Sequence, residues 1–106
     1  MNFAGNVTIN AAASYVGTGN VAFTGTTLLR DDQGVALGGT VNISGAVTFS
    51  AASTQTSTFS ALTIPNSAAL SLNGRTLQVN AAPVIDGTLD NSMATGTLIA
   101  RGLTLN

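Results

Sequence analysis

Apolar residues alternate with polar ones in short bursts along this chain, at Val7/Ile9, Val21/Phe23, Val41/Ile43, Val47/Phe49, Leu62/Ile64, Leu70/Leu72, Leu77/Val79 and Leu103/Leu105. A period of two over a few residues predicts strands with one buried face. Between the bursts stand turn-forming groups: Gly17-Thr18-Gly19-Asn20, Asp32-Gln33-Gly34, Gly38-Gly39, Asn73-Gly74, Asp86-Gly87, and the single glycines Gly96 and Gly102. No segment holds a 3.6-residue stripe. Ala11-Ala12-Ala13-Ser14 and Ser92-Met93-Ala94 have room for one helical turn each before glycine or β-branched neighbours close them off. The expectation is an all-β chain.

Two architectures fit many short strands separated by Thr, Asn and Gly. In a β-solenoid, or β-helix-like stack, each turn lays a short strand on the last, as Val41-Asn42-Ile43-Ser44-Gly45-Ala46-Val47-Thr48-Phe49 suggests. An antiparallel sandwich of jelly-roll type is the runner-up, because the bursts from Val7 to Leu62 keep no constant interval. Asn73-Gly74 sits where the two readings divide. Between the alternating segments Leu70-Ser71-Leu72 and Leu77-Gln78-Val79 it is the best hairpin signal in the chain. It serves equally as a solenoid corner, since both residues accept left-handed backbone angles. The polar run from Ser50 to Thr58 is too short to link two domains and reads as a connection between layers, giving one β-domain over residues 1–106.

Composition sharpens this picture by removing chemistry. The chain has no Lys, Glu, His, Cys or Trp, and only seven charged side chains: Arg30, Arg75 and Arg101 against Asp31, Asp32, Asp86 and Asp90. A serine hydrolase lacks its base here, and a Cys or His metal site lacks its ligands. A net charge of −1 with no basic stripe makes nucleic acid an unexpected partner. No apolar run approaches the ~20 residues of a membrane helix, so membrane insertion is not expected. The buried side chains on offer are mostly Ala, Val, Leu and Ile, a thin core that oligomerisation would reinforce. Alternation begins at Val7 and Ile9 and recurs at Leu103 and Leu105, and no lysine guards either edge. These four residues are the candidate assembly interface, for a trimer or a filament.

Four stretches, GNVTI (Gly5–Ile9), SGAVTF (Ser44–Phe49), STFSALTIPNSAALSLNG (Ser57–Gly74) and GTLIARGLTLN (Gly96–Asn106), resemble the degenerate strand repeats of bacteriophage tail-fibre and head-fibre proteins. They are similar as well to the β-helical passenger segments of bacterial surface adhesins. The resemblance implies a non-enzymatic structural protein of a virion or of the cell surface, self-assembling and in contact with other virion or cell-surface proteins. Its alternative is an extracellular adhesin or receptor-binding module. The N-terminal MNFAGNVTIN, with neither a basic nor an apolar targeting stretch, favours the virion form.

Four patterns have the form of a chemical site, and each has a plainer reading. Gly17-Thr18-Gly19-Asn20-Val21-Ala22 has the glycine spacing of a dinucleotide loop, but Phe23-Thr24-Gly25 follows where a helix should open, so a turn is expected. Asp86 with Asp90, or Asp31 with Asp32, would serve glycoside hydrolysis only if set across a groove; turn carboxylates that accept local amides are the ordinary alternative. Asp86, Asp90 and Asn91 are too few acids for a normal Ca²⁺ loop. Thr54-Gln55-Thr56-Ser57-Thr58, if extended, would align three threonines in a small water-ordering patch. No catalytic, metal or cofactor residue is assigned, and Arg30-Asp31-Asp32 is expected to be a solvated loop, with an intersubunit contact as the alternative.

Overall fold

The computed structural model describes residues 2–12 and 17–102, and the backbone of 104–105. Thirteen short strands follow one another: β1 (Asn2–Ala4), β2 (Val7–Ile9), β3 (Val21–Thr24), β4 (Thr26–Asp31), β5 (Ala36–Ile43), β6 (Ala46–Phe49), β7 (Ser57–Ile64), β8 (Ala69–Ser71), β9 (Thr76–Val79), β10 (Val84–Ile85), β11 (Thr88–Asp90), β12 (Thr97–Ala100) and β13 (Thr104–Leu105). Every pairing is parallel and joins a strand to one from the next turn. The result is a β-solenoid of about 5 turns, with no helix among the described residues.

Each turn has three sides. The first face stacks β1, β3, the end of β5, the end of β7, β10 and β13. The second stacks β2, β4, β6, β8 and β11. The third stacks the beginnings of β5 and β7 with β9 and β12. Because β5 and β7 each bend across a corner, the first and third faces count as one continuous sheet.

Alternation sends every second side chain inward, and stacking turns those residues into apolar columns. On the first face Phe3, Phe23, Ile43, Ile64 and Ile85 succeed one another in register, and the rings of Phe3 and Phe23 stack 5.4 Å apart. Val7, Leu29 and Phe49 form a column on the second face, and Leu37, Phe59, Val79 and Ala100 one on the third. Phe23, Phe49 and Phe59 are the largest buried side chains, so the few aromatics are spent on the axis. The core is narrow but continuous.

The antiparallel sandwich is therefore not the fold, and Asn73-Gly74 is not a hairpin. These residues turn the chain between β8 on the second face and β9 on the third, with φ of 48° and 79°. The side-chain amide of Asn73 donates to Phe49 O at 3.0 Å, tying this corner to the turn below. Gly38-Gly39, expected to be a turn, lies inside β5 at a shift of register between Leu37 and Thr40. There the backbone bends from the third face to the first without leaving the sheet.

One inward position in this stack is mismatched. Thr27 is buried beside Val47, and its hydroxyl has no hydrogen-bond partner among the described residues. A buried hydroxyl left unpaired costs about 1–3 kcal/mol, and valine fills nearly the same shape. Thr27→Val is expected to raise stability by about 1 kcal/mol, read as a higher denaturant midpoint at unchanged slope.

Candidate functional site

Those of the candidate interface residues that the structure describes separate to opposite ends of the solenoid. Val7 and Ile9 lie on β2, half-buried against the core, with their outer ladder edge exposed to the end of the stack. Leu105 lies on β13, in register with Ile85 at the other end. Leu103 falls outside the described residues. Within one chain the two groups never meet, and each marks an edge.

The edges extend beyond those four positions. Among the described residues β1 pairs only with β3 and β2 only with β4, so the first turn is open along two faces. At the other end β11 pairs only with β8, β12 with β9 and β13 with β10. Of these five strands only β11 carries a charge, Asp90, and none carries proline. Backbone N–H and C=O groups are thus presented in rows at both ends, with no proline and, Asp90 apart, none of the charge that ordinarily blocks strand addition.

The carboxylates behave differently from the solvated loop expected of Arg30-Asp31-Asp32. Alternation along β4 turns its last residue, Asp31, inward, whereas Asp32, in the bend that follows the strand, keeps its carboxylate at the surface. Asp32 accepts from Arg30 Nε at 2.8 Å and from the Thr54 hydroxyl at 3.1 Å, at the surface. Asp31 is wholly buried. Its Oδ1 accepts the amides of Gln33 at 2.9 Å and Gly34 at 2.8 Å; its Oδ2 accepts the amide of Val35 at 2.9 Å and the hydroxyl of Ser57 at 2.6 Å. The Asp31 amide in turn donates to Ser53 Oγ at 3.1 Å, and the Asp31 carbonyl receives the amides of Thr54 and Gln55. One carboxylate therefore organises the corner that follows β4 and fastens it to the turn above. It is a fastening, and the pair Asp31/Asp32 does not flank a groove.

Asp90 serves its own turn. Asp90 Oδ1 accepts the Ser92 hydroxyl at 2.6 Å and the Ser92 amide at 2.8 Å. These two bonds hold its carboxyl below the usual aspartate range, against a smaller opposing effect of desolvation. A depressed pKa means that the contribution to stability is present above the unfolded-state value and is lost as pH falls through the folded one. Ser92→Ala is expected to raise the Asp90 pKa, which a carboxyl-carbon NMR titration reads directly. Asn91 closes its own loop by exchanging two hydrogen bonds with the backbone of Gly96, at 2.7 and 3.2 Å. Among the described residues no three acids gather as a metal site.

The other candidates also resolve into local structure. Gly17-Thr18-Gly19-Asn20 is an irregular segment with a bend at Gly19 that leads into β3, and no helix follows it. Of the threonine run, only Ser57 and Thr58 lie on β7; Ser57 points inward, and Thr54 is turned to Asp32. A shallow depression of about 250 Å³ on the first face is lined by Asn2, Asn20, Val21, Ala22, Thr40 and Asn42. It holds neither a charge nor an aromatic ring.

One further signal in the chain marks the corners. The corner between the first and second faces carries Gly5, Gly25, Gly45 and Gly87, while the fourth turn substitutes a longer corner, residues 65–68, with Ser67 at φ 70°. Gly5 and Gly25 have φ of 80° and 72°. Gly45 and Gly87 are needed for space: a Cβ on Gly45 would lie 2.1 Å from Gly25 O, and one on Gly87 2.3 Å from Ala68 O. Read as a series, these glycines mark the turns.

No family model, curated protein or solved structure matches the chain. The reading of its role accordingly rests on the geometry above.

Proposed function

We propose that this chain is a non-enzymatic structural protein that self-assembles by strand addition at the ends of its solenoid. The role fits a component of a fibre, filament or virion appendage at a virion or cell surface, with further copies of itself as first partner. The observation that carries the reading is the pair of uncharged, unpaired ladder edges, β1 and β2 at one end and β12 and β13 at the other. Parallel ladders extend by adding one more strand, and the backbone bonds so gained need no particular side chain. Val7, Ile9, Leu103 and Leu105 are the proposed contact residues. The narrow core supports the same reading, since each added turn covers apolar surface at the end of the stack.

Light scattering after size exclusion at micromolar concentration, with electron microscopy of the same sample, tests this. Particles several chains in mass, or filaments, are expected. Val7→Lys, which places a charge on the edge strand, is expected to abolish them while leaving the β-type circular dichroism intact. A monomer at every concentration, with no filaments, would overturn the proposal.

A further inference from the structure

Resting on that reading, we infer that the copies join head to tail, and that β13 occupies the seat which β1 of the next copy must take. The direction follows from the three faces. If the first turns of two copies met head to head, a two-fold axis normal to the first face would pair β1 with its counterpart antiparallel. The same rotation would exchange the other two faces, bringing β2 against the third side of the neighbour's first turn, where Gly17 and Thr18 lie outside any strand. Head to tail, by contrast, each face meets its own continuation and every ladder stays parallel. β1 then follows the first face, β2 lies next to β11, and the Gly17 backbone lies next to β12. The Gly17 carbonyl already accepts the Gly38 amide at 3.2 Å within the chain, so this segment is a member of the third-face ladder.

The level of each strand then exposes a conflict. On the second and third faces the outermost strands, β11 and β12, belong to the same turn as β10, whereas on the first face β13 lies one level further out, paired to β10. A neighbour that seats β2 on β11 and Gly17 on β12 brings its β1 to the level of β13. Seating β1 on top of β13 instead would lift the other two faces by one strand spacing, about 4.8 Å, and leave both ladders broken at the joint. Only one strand fits beside β10. The incoming β1 offers three paired residues in the observed ladder with β3, against two for β13, and places Phe3 in the column Phe23–Ile43–Ile64–Ile85. On this face Ile85 therefore replaces Leu105 as the proposed contact residue, and Leu105 leaves its register with Ile85 when the next copy arrives. β13 acts as a removable cover on the growing end.

The test compares the full chain with one from which residues 102–106 are deleted, both followed by light scattering across a concentration series. Deletion is expected to lower the concentration at which assembly begins about tenfold, because the competitor for the seat is gone. Full and shortened chains that assemble at the same concentration would overturn the role of β13 and leave self-assembly standing; failure of both to assemble would remove self-assembly as well. Direction is read separately. The chain has no cysteine, so a mixture of Asn2→Cys and Val84→Cys proteins reports a single joint, the two positions being neighbours across the proposed interface. Cross-links between the unlike variants are expected, with a mass of one copy of each. Predominant Asn2→Cys homodimers would establish head-to-head pairing and overturn the inference.

Discussion

Asp31→Ala is expected to cost this protein about 4 kcal/mol, enough to remove a quarter or more of the ~5–15 kcal/mol by which domains are ordinarily stable. The substitution strips one acceptor from four donors at once, the amides of Gln33, Gly34 and Val35 and the hydroxyl of Ser57. Val35 and Ser57 are themselves buried, so water does not readily replace the carboxylate there. Hydrogen bonds to a charged group are worth about 1.5–3 kcal/mol each, and they do not add fully when they share an acceptor. Asp31→Asn keeps one oxygen but turns an NH₂ toward N–H donors, and about 2–3 kcal/mol is expected. Ser57→Ala removes one donor only, at about 1–2 kcal/mol. The order Ala, Asn, then Ser57→Ala in urea midpoints checks the scheme; equal, small effects from all three would show that the corner holds without its carboxylate.

Gly45→Ala is the second large effect, expected at about 3 kcal/mol from overpacking. Its Cβ would meet Gly25 O at 2.1 Å, Gly25 N at 2.7 Å and Gly25 C at 2.8 Å, all backbone atoms of the adjacent turn. They cannot move aside separately, because the Gly25 carbonyl accepts the Ala46 amide and the Gly45 carbonyl accepts that of Ala69. Two turns would have to part. Gly19→Ala is the control, since a Cβ there meets nothing within 4 Å and no positive φ stands in its way. It is expected to be neutral or stabilising by up to about 1 kcal/mol, through a less flexible unfolded chain. Thermal melts of the two variants side by side separate close approach from any general intolerance of Ala for Gly.

Much of the fold was legible because inward apolar residues of a short strand alternate wherever the strand is. Val21/Phe23, Val41/Ile43, Val47/Phe49 and Leu77/Val79 are all strand pairs with both members buried. β4 escaped for a physical reason: its inward positions are Thr27, Leu29 and Asp31, while Leu28 points out, so polarity and direction disagree along it. The repeat is hidden because bursts belonging to three faces follow one another along the chain as one series. On the first face Val21 lies beside Val41, Val41 beside Leu62, and Thr63 beside Val84, steps of 20 or 21 residues. On the second face the steps run unevenly, Val7 to Leu29, Thr26 to Ala46, and Ala46 to Ala69. Mixing the two hides both. The edge positions Val7 and Ile9 were visible as alternation near one end, whereas the buried role of Asp31 was hidden by its neighbours, since Arg30 and Asp32 form the surface pair that the triplet suggests.

The unevenness of the second-face steps has a use. Residues 50–56 and 91–96 bulge from the same corner, between β6 and β7 and between β11 and β12, yet the ladders on either side keep their parallel pairing. Extra length at 91–95, all exposed, is absorbed outside the stack, as slack in a coiled rope leaves its windings undisturbed. That loop, rather than 50–56 with its buried Ser53, is accordingly the place to graft a foreign peptide on a rod whose own geometry need not change.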